Sequence, residues 1–339
     1  MRQARRFGLL LLVFSILCTG SLSARDWVKY PPWIEILRAQ RVAAVGDIHG
    51  AFPQLIKTLK ALKVAKQTEP ESFHLTWTGK NSVLIFTGDL NDRGEYSREV
   101  FDAVMDLQCQ AAKVGGRVIT LLGNHEVLML NGTVEHWANT LQSHKKKHYQ
   151  NTIDSFTKAG LDYHKAISPT GKYGKWIRQR PLFAMINGIF FSHAGLPRPP
   201  TTKSDLAADY REAVEAEDWS GEGLLMNQDN VLWHREWWND EDLVYSALKL
   251  LGAHGVVFGH TIGAVGQKGR IASKFDRVFS IDVGMTPAYG NSQGGGLIIT
   301  VTDTGKMILR AVYPDRPEEL LGYIQIAWPK KSPSLLKVK

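Results

Sequence analysis

Cysteine is nearly missing from this chain. Only two occur among 339 residues, and Cys18 lies in a leader-like segment, which leaves Cys109 in the body. One thiol cannot close an internal disulfide, so stability has to come from packing, with metal as a further source. Long apolar runs are scarce too. The most continuous, Phe7 to Cys18, is well short of the roughly 20 residues that a helix needs to cross a bilayer. Internal repeats and low-complexity segments are absent, and with 44% hydrophobic and 22% charged residues the chain has the composition of an ordinary globular body with ample material for a core.

The amino terminus reads as a secretory signal. Arg2, Arg5 and Arg6 precede the apolar run, and the small residues Gly20, Ser21 and Ser23 follow it, the order of n-region, h-region and cleavage site. Residues 1–23 are therefore assigned to a signal peptide cut after Ser23 or Ala24, with export to a periplasm or to a secretory or extracellular compartment; a retained membrane anchor is the alternative. Leu17 before Cys18 is larger than a lipoprotein cleavage site accepts. Cleavage lowers the formal net charge of +8 to +5, because residues 1–23 hold three arginines and no acid, and Lys330, Lys331, Lys337 and Lys339 take four of the remaining five. The body is left near neutral. A nucleic-acid binder shows a basic face or stripe, so no nucleic-acid partner is expected, and after signal removal no membrane span is expected.

Apolar stretches in the body alternate with helical periodicity. Arg41 to Ile48 leads to Pro53–Lys63, with Leu55, Leu59 and Leu62 at helical spacing; Ser82 to Asp89 leads to Arg98–Val114; Arg117 to Gly123 leads to a helix near Glu126–Leu130. This strand and helix alternation defines an α/β fold built from parallel βαβ units. The second half is richer in strands: Gly188–Gly195, Gly255–His260, Arg277–Gly284 and a pair joined at Thr304-Gly305. The boundaries that follow are an N-terminal lead over 24–40, one domain over 41–325 with a helical cap-like insertion at 131–180, and a basic tail over 326–339.

Five apolar strands end in polar clusters: AAVGDIHG, LIFTGDLNDRG, ITLLGNHE, FFSHAG and VVFGHT. Ligands of open α/β sheets bind beyond the carboxyl ends of the strands, so Asp47, His49, Asp89, Asp92, Arg93, Asn124, His125, His193 and His260 are expected at one site. Singly, each has a plainer reading as a cap, a turn or a hydrogen-bonded core histidine. Together, three carboxylates, an amide and four histidines at one rim are hard to bury without a cation.

These blocks resemble the signature of the calcineurin-like metallophosphoesterases, specifically the phosphoprotein phosphatase family, over about Arg41 to Ala311. Ser192-His193-Ala194-Gly195 is similar to the Shewanella-like, bacterial-type branch. IDVGMTPAYG (Ile281 to Gly290) replaces the Ser-Ala-Pro-Asn-Tyr block of the eukaryotic serine/threonine enzymes, so fold and metal chemistry transfer better than substrate. The resemblance implies an α/β/β/α sandwich of two mixed sheets flanked by helices. It implies two divalent or trivalent metal ions (Mn, Fe or Zn), one held by Asp47, His49 and Asp89, the other by Asp89, Asn124, His193 and His260. A hydroxide bridging them would attack phosphorus directly, so Cys109 is not a nucleophile. His125 would donate a proton to the leaving group and Asp92 would orient it. Arg93 and Asn124 would bind the phosphate together with a second arginine, for which Arg235 in VLWHREWW is the choice, although packing on Trp233 or Trp237 explains Arg235 as well.

The implied activity is a dinuclear metal-dependent phosphatase acting on phosphorylated proteins or peptides, at Ser/Thr or at Tyr. A diadenosine-tetraphosphate hydrolase shares the blocks, and a catalytically silent phosphoprotein-recognition module is the non-enzymatic alternative, disfavoured by the intact His125, Asp92 and Arg93. The 131–180 insertion leaves the sheet right after the His125 cluster and returns before the strand delivering His193. It is expected to select the substrate through Tyr163, His164, Lys172, Tyr173 and Lys175, with a purely structural cap as the alternative. Lys145 to Lys147 read as a solvated helix face, and the tryptophans from Trp219 to Trp238 as core. Oligomeric state has no signal in the sequence.

Overall fold

The structure is a computed structural model, and it describes residues 25–142, 144–220, 223–290 and 292–326. The leader with Cys18 and the tail beyond residue 326 lie outside the described residues. In chain order the elements are β1 (Trp33–Ile36), β2 (Arg41–Val45), α1 (Phe52–Ala61), β3 (Ala65–Gln67), β4 (Leu75–Trp77), β5 (Val83–Phe86), α2 (Ser97–Lys113), β6 (Arg117–Thr120) and α3 (Asn124–Leu130). The insertion forms α4 (Thr133–Thr140), α5 (His144–Thr157), α6 (Tyr163–Ile167) and α7 (Lys172–Ile177). Then come β7 (Phe183–Ile186), β8 (Ile189–Ser192), α8 (Lys203–Glu215), α9 (Glu241–Leu251), β9 (Gly255–Phe258), β10 (Ala272–Lys274), β11 (Val278–Ser280), β12 (Gly296–Val301), β13 (Lys306–Val312) and β14 (Glu319–Gln325).

Two six-stranded sheets carry the fold, ordered β14-β13-β12-β2-β5-β6 and β1-β7-β8-β9-β11-β10, with β3 and β4 as a separate hairpin. Both sheets are mixed. The parallel sets are β2, β5 and β6 in the first, and β8, β9 and β11 in the second, with antiparallel strands outside them. Strands covered on both faces need apolar residues at every position, and VLIF in β5 and GVVF in β9 are buried throughout. The residues 24–40, read as a lead, contribute β1, which pairs in parallel with β7 at a sheet edge. Inner faces of both sheets and their flanking helices join one apolar cluster.

Helix boundaries follow local chemistry. α9 begins at Asp240, whose carboxylate accepts from the Leu243 amide, and ends at Gly252 in the left-handed conformation, the cap pair that starts and stops helices. Thr202 starts α8 in the same way by accepting from the Asp205 amide. Among the described residues no helix is long and apolar enough to cross a membrane.

Candidate active site

The carboxyl ends of both parallel sets meet at one cleft. β2 leads to Asp47 and His49, β5 to Asp89, Asp92 and Arg93, α3 opens on Asn124 and His125, and the turns just after β8 and β9 carry His193 and His260. His49, Asp89, Asp92, Arg93 and His260 all have positive φ, between +48° and +70°. Left-handed backbone at non-glycine residues is strained and persists where the surroundings over-determine it. The chain turns sharply at the functional residues themselves, not only at the glycines before them.

Hydrogen bonds on the far side of each imidazole fix which nitrogen faces the cleft. His193 Nδ1 lies 3.0 Å from the Thr87 carbonyl and His49 Nδ1 lies 2.8 Å from the Asn91 carbonyl. Each Nδ1 is therefore the N–H donor, and Nε2 turns its lone pair inward. His260 is the reverse: Nε2 lies 3.2 Å from the Trp233 carbonyl, which leaves Nδ1 as the inward acceptor. His193 Nε2 and His260 Nδ1 are then 3.0 Å apart, and both contact Asn124 Oδ1, at 2.7 and 3.1 Å. Three lone pairs converge with Asp89 Oδ1 3.4 Å from His193 Nε2. That set fits a cation, which turns mutual repulsion into shared ligation, and the carbonyl partners are the outer supports that metal-bound histidines use.

Two donor groups share Asp89: His49, Asp89 and His125 in one, and Asp89, His193 and His260 in the other, with ligand atoms within 4.8 Å of one another in each. Asp47 stands slightly apart, with both carboxylate oxygens 2.9 Å from the His260 amide and a hydrogen bond to Asp282. Burial pushes the Asp89 and Asp47 carboxyls well above the usual range, reinforced by Glu126 for the first and by Asp282 for the second. Burial also pulls His193 down to about 3. Neutral imidazoles beside carboxyls that lack a counter-charge are what a cation needs and corrects.

His125 is held differently from the other histidines. Its Nδ1 is 2.6 Å from Asp92 Oδ2, its Nε2 is 3.0 Å from Arg93 Nη2, and its backbone amide donates to Asp89 Oδ1 at 2.9 Å. The carboxylate fixes Nδ1 as the N–H donor, so Nε2 is the atom presented to the cleft. Burial, then the guanidinium charges of Arg93 and Arg235, hold the imidazole well below its ordinary pKa. Arg235 is exposed at the opposite rim, its Nη1 donating to Thr261 Oγ1 at 2.7 Å and to the His260 carbonyl at 3.3 Å. The cleft lined by His49, Asp89, Arg93, His125, Arg235 and His260 has a volume of about 310 Å³.

Glu126 has a supporting role that the sequence reading did not assign. Glu126 accepts from the amides of Gly123, Asp89 and Leu90 at 2.8, 2.9 and 2.7 Å, so one carboxylate ties the turn bearing Asp89 to the start of α3. A glutamate three residues after a helix-starting residue is the half of a capping box that reaches back to the N-cap amide, and that spacing from Gly123 to Glu126 is the signal the sequence offered. Tyr289 and Asp282 also line the cleft, with the Arg93 guanidinium 4.9 Å from the Tyr289 ring centre. Trp237 is core, and its indole donates to the Ala194 carbonyl beside His193. A methyl group at Gly123 would overlap the Asp89 amide and carboxylate and the Glu126 carboxylate. Gly123→Ala is expected to lower turnover about 10²-fold, the scale of a roughly 1 Å misplacement, with a smaller effect on melting; unchanged turnover would show that the turn tolerates the shift.

The insertion's proposed substrate groups are turned elsewhere. Tyr163 and Tyr173 are buried against Phe156, the Tyr173 hydroxyl and Lys172 bond Asp102 on α2, and His164 pairs with Glu135. Lys175 faces solvent. The burial of Tyr163 and Tyr173 and the bonds of Tyr173 and Lys172 to Asp102 suit packing of the insertion onto α2, while the His164, Lys172 and Lys175 side chains stay exposed.

Sheets, donor groups and a proton-bearing imidazole at one rim define a metal-dependent phosphoesterase. The calcineurin-like phosphoesterase family profile matches residues 40–263, and the chain belongs to that family. It is 29% identical over 306 residues to an uncharacterised protein of Schizosaccharomyces pombe, covering 87% of this chain and 84% of that one. It is 31% identical over 156 residues to Shewanella-like protein phosphatase 1 of Plasmodium berghei, covering 46% of this chain and 39% of that protein, so the match spans less than half of that phosphatase. The fold is that of the cold-active protein-tyrosine phosphatase of a psychrophilic Shewanella, with a TM-score of 0.66 at 23% identity over 88% of this chain and 85% of that one.

Proposed function

We propose that the chain is a phosphoprotein phosphatase that cleaves phosphomonoesters with two cations, the first beside His49 and Asp89 with Asp47 behind them, the second on Asp89, Asn124, His193 and His260. The observation that carries this reading is the pairing, in one cleft, of converging inward lone pairs with an imidazole already oriented by a carboxylate and flanked by arginine. The cations, when bound, supply Lewis acidity at the phosphoryl oxygens and activate the attacking water.

The chain's own residues do the rest. Arg93 and Arg235 face the cleft from two sides and can grip phosphate oxygens through their planar donor forks. Phosphate drawn onto Arg93 moves the guanidinium off His125 Nε2 and brings negative charge, and both changes favour a proton there for the departing alkoxide. A silent binding module has no use for that arrangement.

A protein substrate is favoured by the shape beyond the chemistry. Past Tyr289, Ile262 and Lys268 the cleft runs into a second hollow of about 280 Å³ reaching Arg316, room for the chain flanking a phosphorylated side chain. The full chain loaded with manganese, iron or zinc is expected to hydrolyse p-nitrophenyl phosphate and phosphopeptides, and to prefer the peptides to dinucleoside polyphosphates in the same panel. Faster turnover of the dinucleoside polyphosphates would overturn the protein-substrate assignment, and no turnover of any ester would overturn the enzymatic one. Export with loss of residues 1–23 belongs to the same proposal, and amino-terminal sequencing of the protein secreted by its host checks it.

A further inference from the structure

Asp92 and Arg93 are consecutive non-glycine residues with φ of +69° and +70°. Within the loop the Gly94 amide donates to the Asp92 carbonyl at 2.8 Å, closing a turn centred on Arg93. Further contacts on both residues come from α5, which is distant in sequence: Thr152 lies 60 residues beyond Asp92. Thr152 Oγ1 donates to Asp92 Oδ1 at 2.9 Å and accepts from the Asp92 amide at 3.0 Å. The Arg93 amide donates to the His148 carbonyl at 2.7 Å, and Asn151 Nδ2 donates to the Arg93 carbonyl at 2.9 Å. One turn on, Ser155 Oγ accepts from the Arg98 amide at 3.2 Å. His148, Asn151, Thr152 and Ser155 follow the three- and four-residue spacing of one helix face, and Lys145, Lys146 and Lys147 are exposed. Thr152 and Ser155 are buried, at 0% and 2% exposure, and the two Thr152 to Asp92 bonds are buried with them, which strengthens them electrostatically.

We propose that α5 is a positioning element of the reaction, with Thr152 as its key residue: it orients Asp92, and through Asp92 the proton donor His125, while Asn151 and the His148 carbonyl set the backbone of Arg93. Asp92 uses its two carboxylate oxygens for different partners, Oδ2 for His125 Nδ1 and Oδ1 for the Thr152 hydroxyl. Without the hydroxyl, Oδ1 loses its donor from α5 while the Asn91 side chain remains as a second support of the carboxylate, so the carboxylate and the imidazole it orients are held less strictly. Ser97 Oγ also receives the Asp92 amide, at 3.2 Å, so the backbone of the loop keeps one support when Thr152 is changed. The insertion thus reaches the chemistry through the Asp92 loop rather than through groups offered to substrate. Phe156, packed between Tyr163 and Tyr173, fixes α5 against the rest of the insertion.

This inference rests on the reading of His125 as proton donor, and the two separate experimentally. In the full metal-loaded chain, Thr152→Val keeps the side-chain shape and removes the hydroxyl, while Thr152→Ser keeps the hydroxyl. Thr152→Val is expected to lower kcat on phosphoserine peptides about ten- to a hundred-fold, part of what a general acid supplies, with KM and the rate on p-nitrophenyl phosphate within about three-fold of the parent. Thr152→Ser restores the peptide rate, and Thr152→Val adds nothing to His125→Asn, the non-additivity of residues acting as one unit. Equal losses on both esters, or failure of serine to rescue, would make α5 a structural support and overturn the proposal. A Thr152→Val variant indistinguishable from the parent, with His125→Asn still selective for poor leaving groups, would overturn it alone; a His125→Asn variant without that selectivity would remove the underlying reading and this inference with it.

Discussion

Asp89→Asn is expected to remove at least one cation per chain and to lower turnover about 10³-fold or more, because metal assistance is worth several kcal/mol in the transition state and each factor of ten is about 1.4 kcal/mol. Asp89 is the one carboxylate common to both donor groups, so the effect should reach both. The thermal behaviour separates a lost ligand from a damaged fold. Burial and the neighbouring Glu126 push the Asp89 carboxyl well above its ordinary range, so the ionised group destabilises the metal-free fold. Its amide isostere removes that liability, and metal-free Asp89→Asn should melt no lower than the metal-free parent. Metal binding to the folded chain adds about 4 kcal/mol at a thousand-fold excess over Kd; this rise in Tm should be present in the parent and largely missing in the variant. His260→Ala should behave alike, since it removes one of the two lone pairs that face each other at 3.0 Å. Full metal content with unchanged turnover in either variant would show that these side chains are not ligands.

The strand-end clusters were readable in the sequence because a parallel strand buried on both faces must be continuously apolar, as VLIF and GVVF are, and polar residues can return only where the strand leaves the sheet. Asp47, His49, Asp89, Asn124, His193 and His260 stood out for that reason. α9 carried Asp240 and Gly252 at its two ends and went unassigned, a cap signal present but unused. β1 and β7 were missed because both are only four residues long, and the alternation in WIEI and the apolar run of FAMI are each too short beside prolines to set them apart from a loop. The role of the insertion was not legible at all. Its length and composition announced helices, yet the Thr152 to Asp92 bond joins residues 60 positions apart, and no local pattern distinguishes a buried threonine that caps a carboxylate from one that simply packs. Tyr163 and Tyr173 illustrate the converse. Aromatic and basic residues in a cap suggested substrate contact, and packing onto α2 and Phe156 used them instead.

His125→Asn should divide substrates by leaving group. Asp92 Oδ2 at 2.6 Å holds Nδ1, so the cleft sees Nε2 alone, and a proton on Nε2 is useful in proportion to how poorly the departing oxygen carries charge. A serine alkoxide needs it, whereas p-nitrophenolate leaves without it. General-acid catalysis contributes about 10² to 10⁴-fold, so kcat on phosphoserine peptides should fall by that range while p-nitrophenyl phosphate hydrolysis falls far less. Asn cannot donate a transferable proton, but it is close in size and polar, which keeps Arg93 and Asp92 from facing an apolar void. Asp92→Asn gives the complementary test. Burial raises the Asp92 carboxyl to about 7, opposed by the Thr152 hydroxyl and then by Arg93, so near neutral pH the group lies close to losing its charge. The amide should reproduce the leaving-group selectivity of His125→Asn, because a neutral partner no longer stabilises the imidazolium. Metal content should stay at the parent level in both. A proportional loss on phosphoserine and aryl phosphate, accompanied by loss of metal, would instead make His125 a ligand, the role its Nε2, 3.9 Å from Asp89 Oδ2, would allow.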